Sequence, residues 1–243
     1  MRLIAGLLRC GNGRIEVDGR VPSDRKPEFL DNVYFVPESF NAPDMTVSRY
    51  AGCYGMFYSR YDGDAMADYL KAFEVDPDAV FSTLSTGQKK KAMIAFALSL
   101  NTRLLLLDEP GNGLDIPSKL CLRRLLAECS RPDRTVVLST HQVREIDEIV
   151  DHLVVIDSGR LLLEGSLDDI AGCISFKVAD STMPDALFSE RTAAGTVSII
   201  PNATDNRGTG RDKIDMEILF DACISGGKRM TDYLRTHVGH SGK

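Results

Sequence analysis

Leu84-Ser-Thr-Gly-Gln88, Leu104-Leu-Leu-Leu-Asp-Glu-Pro110, Leu114-Asp115 and Val136-Val-Leu-Ser-Thr-His141 follow one another in that order, and their reading decides the fold. Leucines 104 to 107 form a continuous apolar run, as expected of a parallel strand covered on both faces, and residues 136–138 and 153–156 repeat the pattern. Asp108 and Glu109 then fall at the carboxyl end of a parallel sheet, where such sheets bind ligands. Asp108 offers Mg²⁺ a hard oxygen ligand, directly or through water. Glu109 is placed to orient and deprotonate an attacking water. A plain Asp-Glu-Pro turn is the bland alternative. His141 also ends a buried strand and can donate to a phosphate oxygen. His152, His237 and His240 lack that context and read as surface or structural residues.

Ser85-Thr86-Gly87-Gln88 opens a helix whose apolar side is Met93, Phe96, Ala97 and Leu100. The unpaired N–H groups and positive dipole end of such a helix suit phosphate, and Gly87 lets the backbone approach closely. The spacing of Ser85 and Gln88 equally fits a capping box, and the two roles are compatible. Lys89-Lys-Lys91 reads as a solvated first turn. Asp115 either caps the next helix, which Pro117 opens, or reaches across a dimer interface.

The 243 residues are 43% hydrophobic and 26% charged, with a net charge of −6. That suffices for a buried core and argues against a nucleic-acid binder, which would usually show a basic face. No apolar run approaches the ~18 residues of a membrane span. The first eight residues do not form a signal peptide. Six cysteines without a C-x-x-C pair point to reduced thiols and a cytoplasmic location.

Around these motifs the chain is organised as follows. Residues 1–9 read as the tail of a helix, residues 15–17 as a short strand closing on Asp18-Gly19, and residues 33–36 as a buried strand stopped by Pro37. Val47, Tyr50, Ala51, Tyr54, Tyr58 and Tyr61 recur near 3.6-residue spacing and predict one helix with an aromatic, core-packing stripe. Met66, Tyr69, Leu70 and Phe73 begin a second. Leu122, Leu125, Leu126 and Cys129 form one side of another helix, and Asp157-Ser-Gly159 turns a hairpin. Beyond Gly172, strands are expected at 174–178, 197–200 and 214–219, a helix at 223–233, and a mobile loop at 203–212. The expected division is 1–172 and 173–243, the latter a small α+β appendage.

Taken together these residues resemble the nucleotide-binding subunit of an ABC transporter, over residues 1 to about 172. The resemblance implies an α/β, partial P-loop NTPase fold with a parallel sheet core. It also implies a helical subdomain, about 44–100, that docks on a transmembrane permease subunit. Ser85, Thr86, Gly87 and Gln88 would form the signature loop, addressing ATP bound to a second nucleotide-binding subunit. Asp108 would serve Mg²⁺, Glu109 would be the catalytic base, His141 the switch and Asp115 the D-loop residue. The protein would then be an ATPase, cytoplasmic and peripheral to the membrane through its permease.

Three departures accompany the resemblance. The Q-loop position is Glu38 rather than glutamine, which still permits a metal contact. Thr86 replaces a glycine of the commonest signature, whereas Gly87 is retained. Third, no Gly-x-x-x-x-Gly-Lys-Ser/Thr phosphate loop occurs anywhere in the sequence. Gly227-Lys228 and Gly242-Lys243 lack its spacing. The chain reads as beginning just after that loop, as a misplaced start codon would produce, and as inactive without it. The strand before the loop would lie between the two motif-bearing strands, so that its loss opens the sheet centre and exposes apolar edges. The runner-up is a non-catalytic subunit that supplies only its signature loop to a partner's ATP site. A soluble ABC protein of translation or repair is disfavoured, because these usually carry two ATPase domains or a long coiled coil.

Overall fold

Leu105, Leu106 and Leu107 are fully buried. Their strand, β2 (Leu104–Asp108), is the middle of a three-stranded parallel sheet between β1 (Val33–Val36) and β3 (Thr135–Ser139). β2 pairs with β3 from Leu104↔Thr135 to Asp108↔Ser139. The two motif-bearing strands are therefore direct neighbours, and the sheet centre expected to be open is closed. β3 is only half-buried, in contrast to β2. This computed structural model describes residues 1–41, 43–143, 149–202 and 214–238. The expected loop at 203–212, His240 and Gly242-Lys243 fall outside them.

The chain divides into two compact units, Met1–His141 and Gln142–Lys243. In the first, α1 (Pro27–Leu30) precedes β1, followed by α2 (Val47–Gly55), α3 (Gly63–Ala72), α4 (Thr86–Ser99) and α5 (Ile116–Glu128). The opening segment makes overlapping hydrogen-bonded turns (Ala5 N–H to Met1 O and Leu7 N–H to Arg2 O, each 2.9 Å, and Gly6 N–H to Leu3 O, 3.1 Å) rather than a helix, and the strand expected at 15–17 is a single bridge, Val17↔Arg20. The helix expected through Tyr61 stops at Gly55. A Cβ at Gly55 would lie 2.7 Å from the Tyr61 ring, so the chain doubles back there with Tyr61 packed on the helix end. The stripe packs inward through Val47, Tyr50, Ala51 and Tyr58, as expected, but Tyr54 is exposed. Tyr50 meets both Phe81 and Phe96 edge-on at 5.2 Å, and Tyr34 meets Tyr58 at 5.8 Å. Burial pushes the Tyr34 hydroxyl well above its usual pKa. Asp62 caps α3 by accepting the Ala65 N–H at 2.9 Å.

The second unit begins with an antiparallel hairpin, β4 (His152–Asp157) and β5 (Arg160–Ser166). β4 is thus not the parallel strand its apolar run suggested. Ser158 and Gly159, both at positive φ, form a two-residue turn that can join only antiparallel strands. After α6 (Leu167–Cys173), strands β6 (Ile174–Ala179), β7 (Phe188–Thr192) and β8 (Gly195–Pro201) pair antiparallel in the order β6-β8-β7. The segment 214–219, expected as a strand, enters a helix, α7 (Met216–Ser225), before α8 (Gly227–His237). Asp215 starts α7 by accepting the Glu217 and Ile218 N–H groups at 3.1 Å. Residues of the hairpin, Val155 and Leu163, share one apolar core with Ile199, Leu219, Met230 and Leu234. Residues 153–170, which motif order groups with the N-terminal part, accordingly pack in the core of the second unit.

Candidate functional site

The carboxyl ends of β1, β2 and β3 and the start of α4 belong to the first unit and bear most of the candidate residues. Parallel register carries Asp108 level with Ser139, whose Oγ donates to Asp108 Oδ1 at 2.6 Å. One residue on, the backbone turns sharply. Glu109 has φ +46°, a left-handed conformation uncommon for a side-chain-bearing residue. Its N–H donates to Ser139 O (3.1 Å) and Ser139 Oγ (3.3 Å). This turn aims the carboxylate at His141, two residues past β3. Glu109 Oε1 accepts the His141 backbone N–H at 3.1 Å and lies 2.8 Å from Nδ1.

The pairing constrains the chemistry. An ionised Glu109 can only accept, so the facing Nδ1 carries a proton, and Nε2 donates to a further acceptor only when the ring is protonated. Because Oε1 is committed to His141, a base role falls to Oε2. The His141 side chain is 66% exposed and that of Glu109 19%. Solvent therefore weakens the contact electrostatically, and its value lies in orientation rather than stability.

Glu38 sits just past β1, and its Oε1 accepts from Asn112 Nδ2 at 2.8 Å. The Q-loop position is thereby tied to the segment leading to Asp115. Asp115 itself caps α5, accepting the Ser118 N–H at 3.0 Å. The Ser118 side-chain and backbone hydrogen bonds hold its carboxyl below the usual range. At the start of α4 both halves of the capping box are made, Gln88 N–H to Ser85 Oγ at 3.2 Å and Ser85 N–H to Gln88 Oε1 at 3.0 Å. Gly87 packs so closely on Gly113 that a Cβ would lie 2.9 Å from the Gly113 carbonyl oxygen.

Sequence reasoning missed Lys90. Far from a solvated first turn, it is 3% exposed, and its Nζ donates to the Glu109 carbonyl at 2.8 Å. Burial lowers its pKa, and the carboxylates of Glu38, Glu109 and Asp108 oppose that shift. Helical period carries no signal for it, because α4 is buried all round from Ala92 to Ser99. Of the other histidines, His152 is exposed in β4, and His237 stacks on Tyr233 at 4.1 Å.

Among the described residues, no group of three or more His, Cys, Asp or Glu could cage a metal. The donor set suits Mg²⁺ all the same, since that ion is commonly bound by one or two carboxylates together with substrate phosphates.

Residues 1–112 match a family described as ABC transporter. The chain is 29% identical over 179 residues to the ABC transporter ATP-binding protein NatA of Bacillus subtilis, covering 70% of this chain and 72% of NatA. It is 28% identical over 183 residues, 71% of the chain, to the Nod factor export ATP-binding protein I of Cupriavidus metallidurans. The chain spans 60% of that relative's length and 54% of its counterpart from Cupriavidus pinatubonensis. Among solved structures, an ATP-binding subunit of an ABC transporter aligns with TM-score 0.64 at 25% identity, over 70% of this chain and 73% of its own. A putative cobalt transport ATP-binding protein, with TM-score 0.59 at 20% identity over 83% and 75%, shares the fold.

Proposed function

We propose, from the premise that this chain carries an ABC-type nucleotide-binding domain, that it is an ATP-binding and ATP-hydrolysing subunit driving transport through a separate membrane subunit. The observation that carries this reading is the Glu109–His141 pair, a carboxylate and an imidazole in contact just past the ends of adjacent parallel strands. In it Glu109 activates water, His141 addresses the γ-phosphate, and Asp108, with Glu38 close by, serves Mg²⁺. Ser85, Thr86, Gly87 and Gln88 offer the N-terminus of α4 to ATP held on a second nucleotide-binding subunit, and Asp115 lies on that dimer face.

An exposed apolar surface supports docking on the membrane subunit. Tyr54, Met56 and Phe57, at the end of α2, are 41%, 76% and 71% exposed. Beside α2 and α3 runs a groove of about 580 Å³ lined in part by Ala51, Met66, Leu70 and Val75. Docking there makes the protein peripheral to the cytoplasmic face of the membrane.

A second reading, in which the chain only completes a partner's ATP site, rests on the fully capped N-terminus of α4. ATP turnover of the native complex separates the two. Under the first, Glu109→Gln stalls hydrolysis and traps an ATP-bound dimer, visible by size-exclusion chromatography. Under the second, Glu109→Gln is harmless, but Gly87→Asp, which sets a carboxylate against the partner's phosphates, abolishes turnover. Indifference to both substitutions sinks both readings.

A further inference from the structure

Lys90 has no part in the roles assigned above, yet its ammonium is buried against the backbone of Glu109. Burying an ammonium is costly, and a neutral side chain would fill the position more cheaply. Three carboxylates, those of Glu38, Asp108 and Glu109, lie close enough to favour the charged form.

The acceptor is unusual. Glu109 must keep its left-handed φ of +46° for Oε1 to reach His141, and such a conformation persists only where its surroundings enforce it. The N–H side of the residue is held by Ser139. Its carbonyl precedes Pro110, which has no N–H, and accepts from Lys90 Nζ at 2.8 Å and from Asn112 N–H at 3.2 Å. The Lys90 contact is the shorter and the charged one, and such hydrogen bonds are roughly twice as strong as neutral ones.

We propose that Lys90 is a positioning residue: its ammonium clamps the Glu109 carbonyl and so fixes the direction in which the carboxylate leaves the backbone towards His141. Its importance for turnover rests on Glu109 being the base, but the clamp itself does not require nucleotide. It can therefore be tested on the 243-residue chain alone.

The experiment is amide hydrogen exchange read by NMR. The amides of Glu109 and His141, whose hydrogen bonds the clamp maintains, are compared with those of the buried controls Ile94 and Leu106. In Lys90→Met, exchange at Glu109 and His141 accelerates about tenfold or more, the loss expected for one charge-assisted hydrogen bond, while the controls keep their rates. Lys90→Arg, which can still donate, restores protection at both sites. If Lys90→Met does not fold, Lys90→Gln, one bond shorter and unable to reach, is measured in the same way. Unchanged exchange at His141 overturns the proposal. So does equal acceleration at all four amides, which marks a purely structural lysine, or failure of both variants to fold. Selective loss of protection combined with turnover indifferent to Glu109→Gln would keep the clamp and discard Glu109 as the base.

Discussion

Two glycine-to-alanine substitutions in the same unit should move stability in opposite directions, and the reason is one oxygen atom. Gly52 lies in the middle of α2 with nothing within 4 Å of the position a Cβ would take, whereas at Gly87 that Cβ would stand 2.9 Å from Gly113 O. Both glycines are helical, and alanine is favoured over glycine in a helix by about 0.8–1 kcal/mol. At Gly52 that gain is unopposed, and Gly52→Ala should stabilise by about that amount. At Gly87 the obstacle is backbone and cannot rotate away. Gly113 sits at φ +80°, in a loop closed by Asn112 N–H to Glu109 O and Leu114 N–H to Gly111 O, each 3.2 Å. Relief requires the loop to shift, at a cost in the range of about 1–3 kcal/mol for overpacking. Gly87 stands in the first turn of α4, where the propensity gain is no larger than in the middle of α2, so the two variants should differ by at least this term, about 1–3 kcal/mol.

Urea unfolding followed by tyrosine fluorescence suits the comparison. The protein has no tryptophan, and Tyr34, Tyr50, Tyr54, Tyr58, Tyr61 and Tyr69 all lie within Met1–His141, leaving only Tyr233 in the other unit. For a urea slope of about 2 kcal/mol/M, the two midpoints should separate by roughly 0.5 to 1.5 M. A Gly87→Ala midpoint at or above that of Gly52→Ala would refute the argument, and with it the claim that close approach of α4 to the loop at Gly113 is what demands glycine there.

Three further outcomes can be measured in the same way. Ser85→Ala removes the acceptor for the Gln88 N–H and with it the capping box, so it should lower stability by about 1 kcal/mol; no change would mean that water replaces the cap fully. Glu74 occupies the left-handed position after α3 (φ +56°), with Val75 N–H bonded to Leu70 O at 2.9 Å and Glu74 N–H to Lys71 O at 3.1 Å. Glycine there relieves a strain of about 1–2 kcal/mol but adds about 0.5–1 kcal/mol of unfolded-chain entropy, so Glu74→Gly should gain roughly 0.5–1 kcal/mol and Glu74→Ala nothing. Asp31 accepts from Ser59 Oγ (2.6 Å) and Ser59 N–H (2.7 Å), which hold its carboxyl below the usual pKa. Its contribution is therefore present above the unfolded value near ~3.9 and is lost as pH falls through the lower folded value. Asp31→Asn should be less stable than the parent at pH 7, with the gap closing in strong acid; a pH-independent gap would exclude this linkage.

How much of this could be read from the sequence followed from which physical signals are local. The buried leucines of β2 announced themselves because a strand covered on both faces has no polar positions, and the cap of α4 because Ser85 and Gln88 are three residues apart. Direction was less visible. The apolar run at 153–156 looks the same in a parallel strand as in a hairpin, and the Ser158-Gly159 turn, read in the sequence but not applied to strand direction, decides between them. The segment 214–219 misled because its apolar run is too short for its period to be read, and Asp215 as a cap was the only cue to the helix. Lys90 shows where local reading fails. Within Lys89-Lys-Lys91 the three side chains are chemically identical, and because α4 is buried all round beyond Ala92, no helical phase singles out the middle one; only the fold turns it inward. What it meets there, a left-handed glutamate carbonyl from a loop nineteen residues away, is set by the register of β2 and β3, a long-range fact. The sequence thus displays the groups that do chemistry more readily than those that aim them. Reactive residues are rare and sit beside recognisable strand ends, while their supports are common residues distinguished only by where the fold sends them.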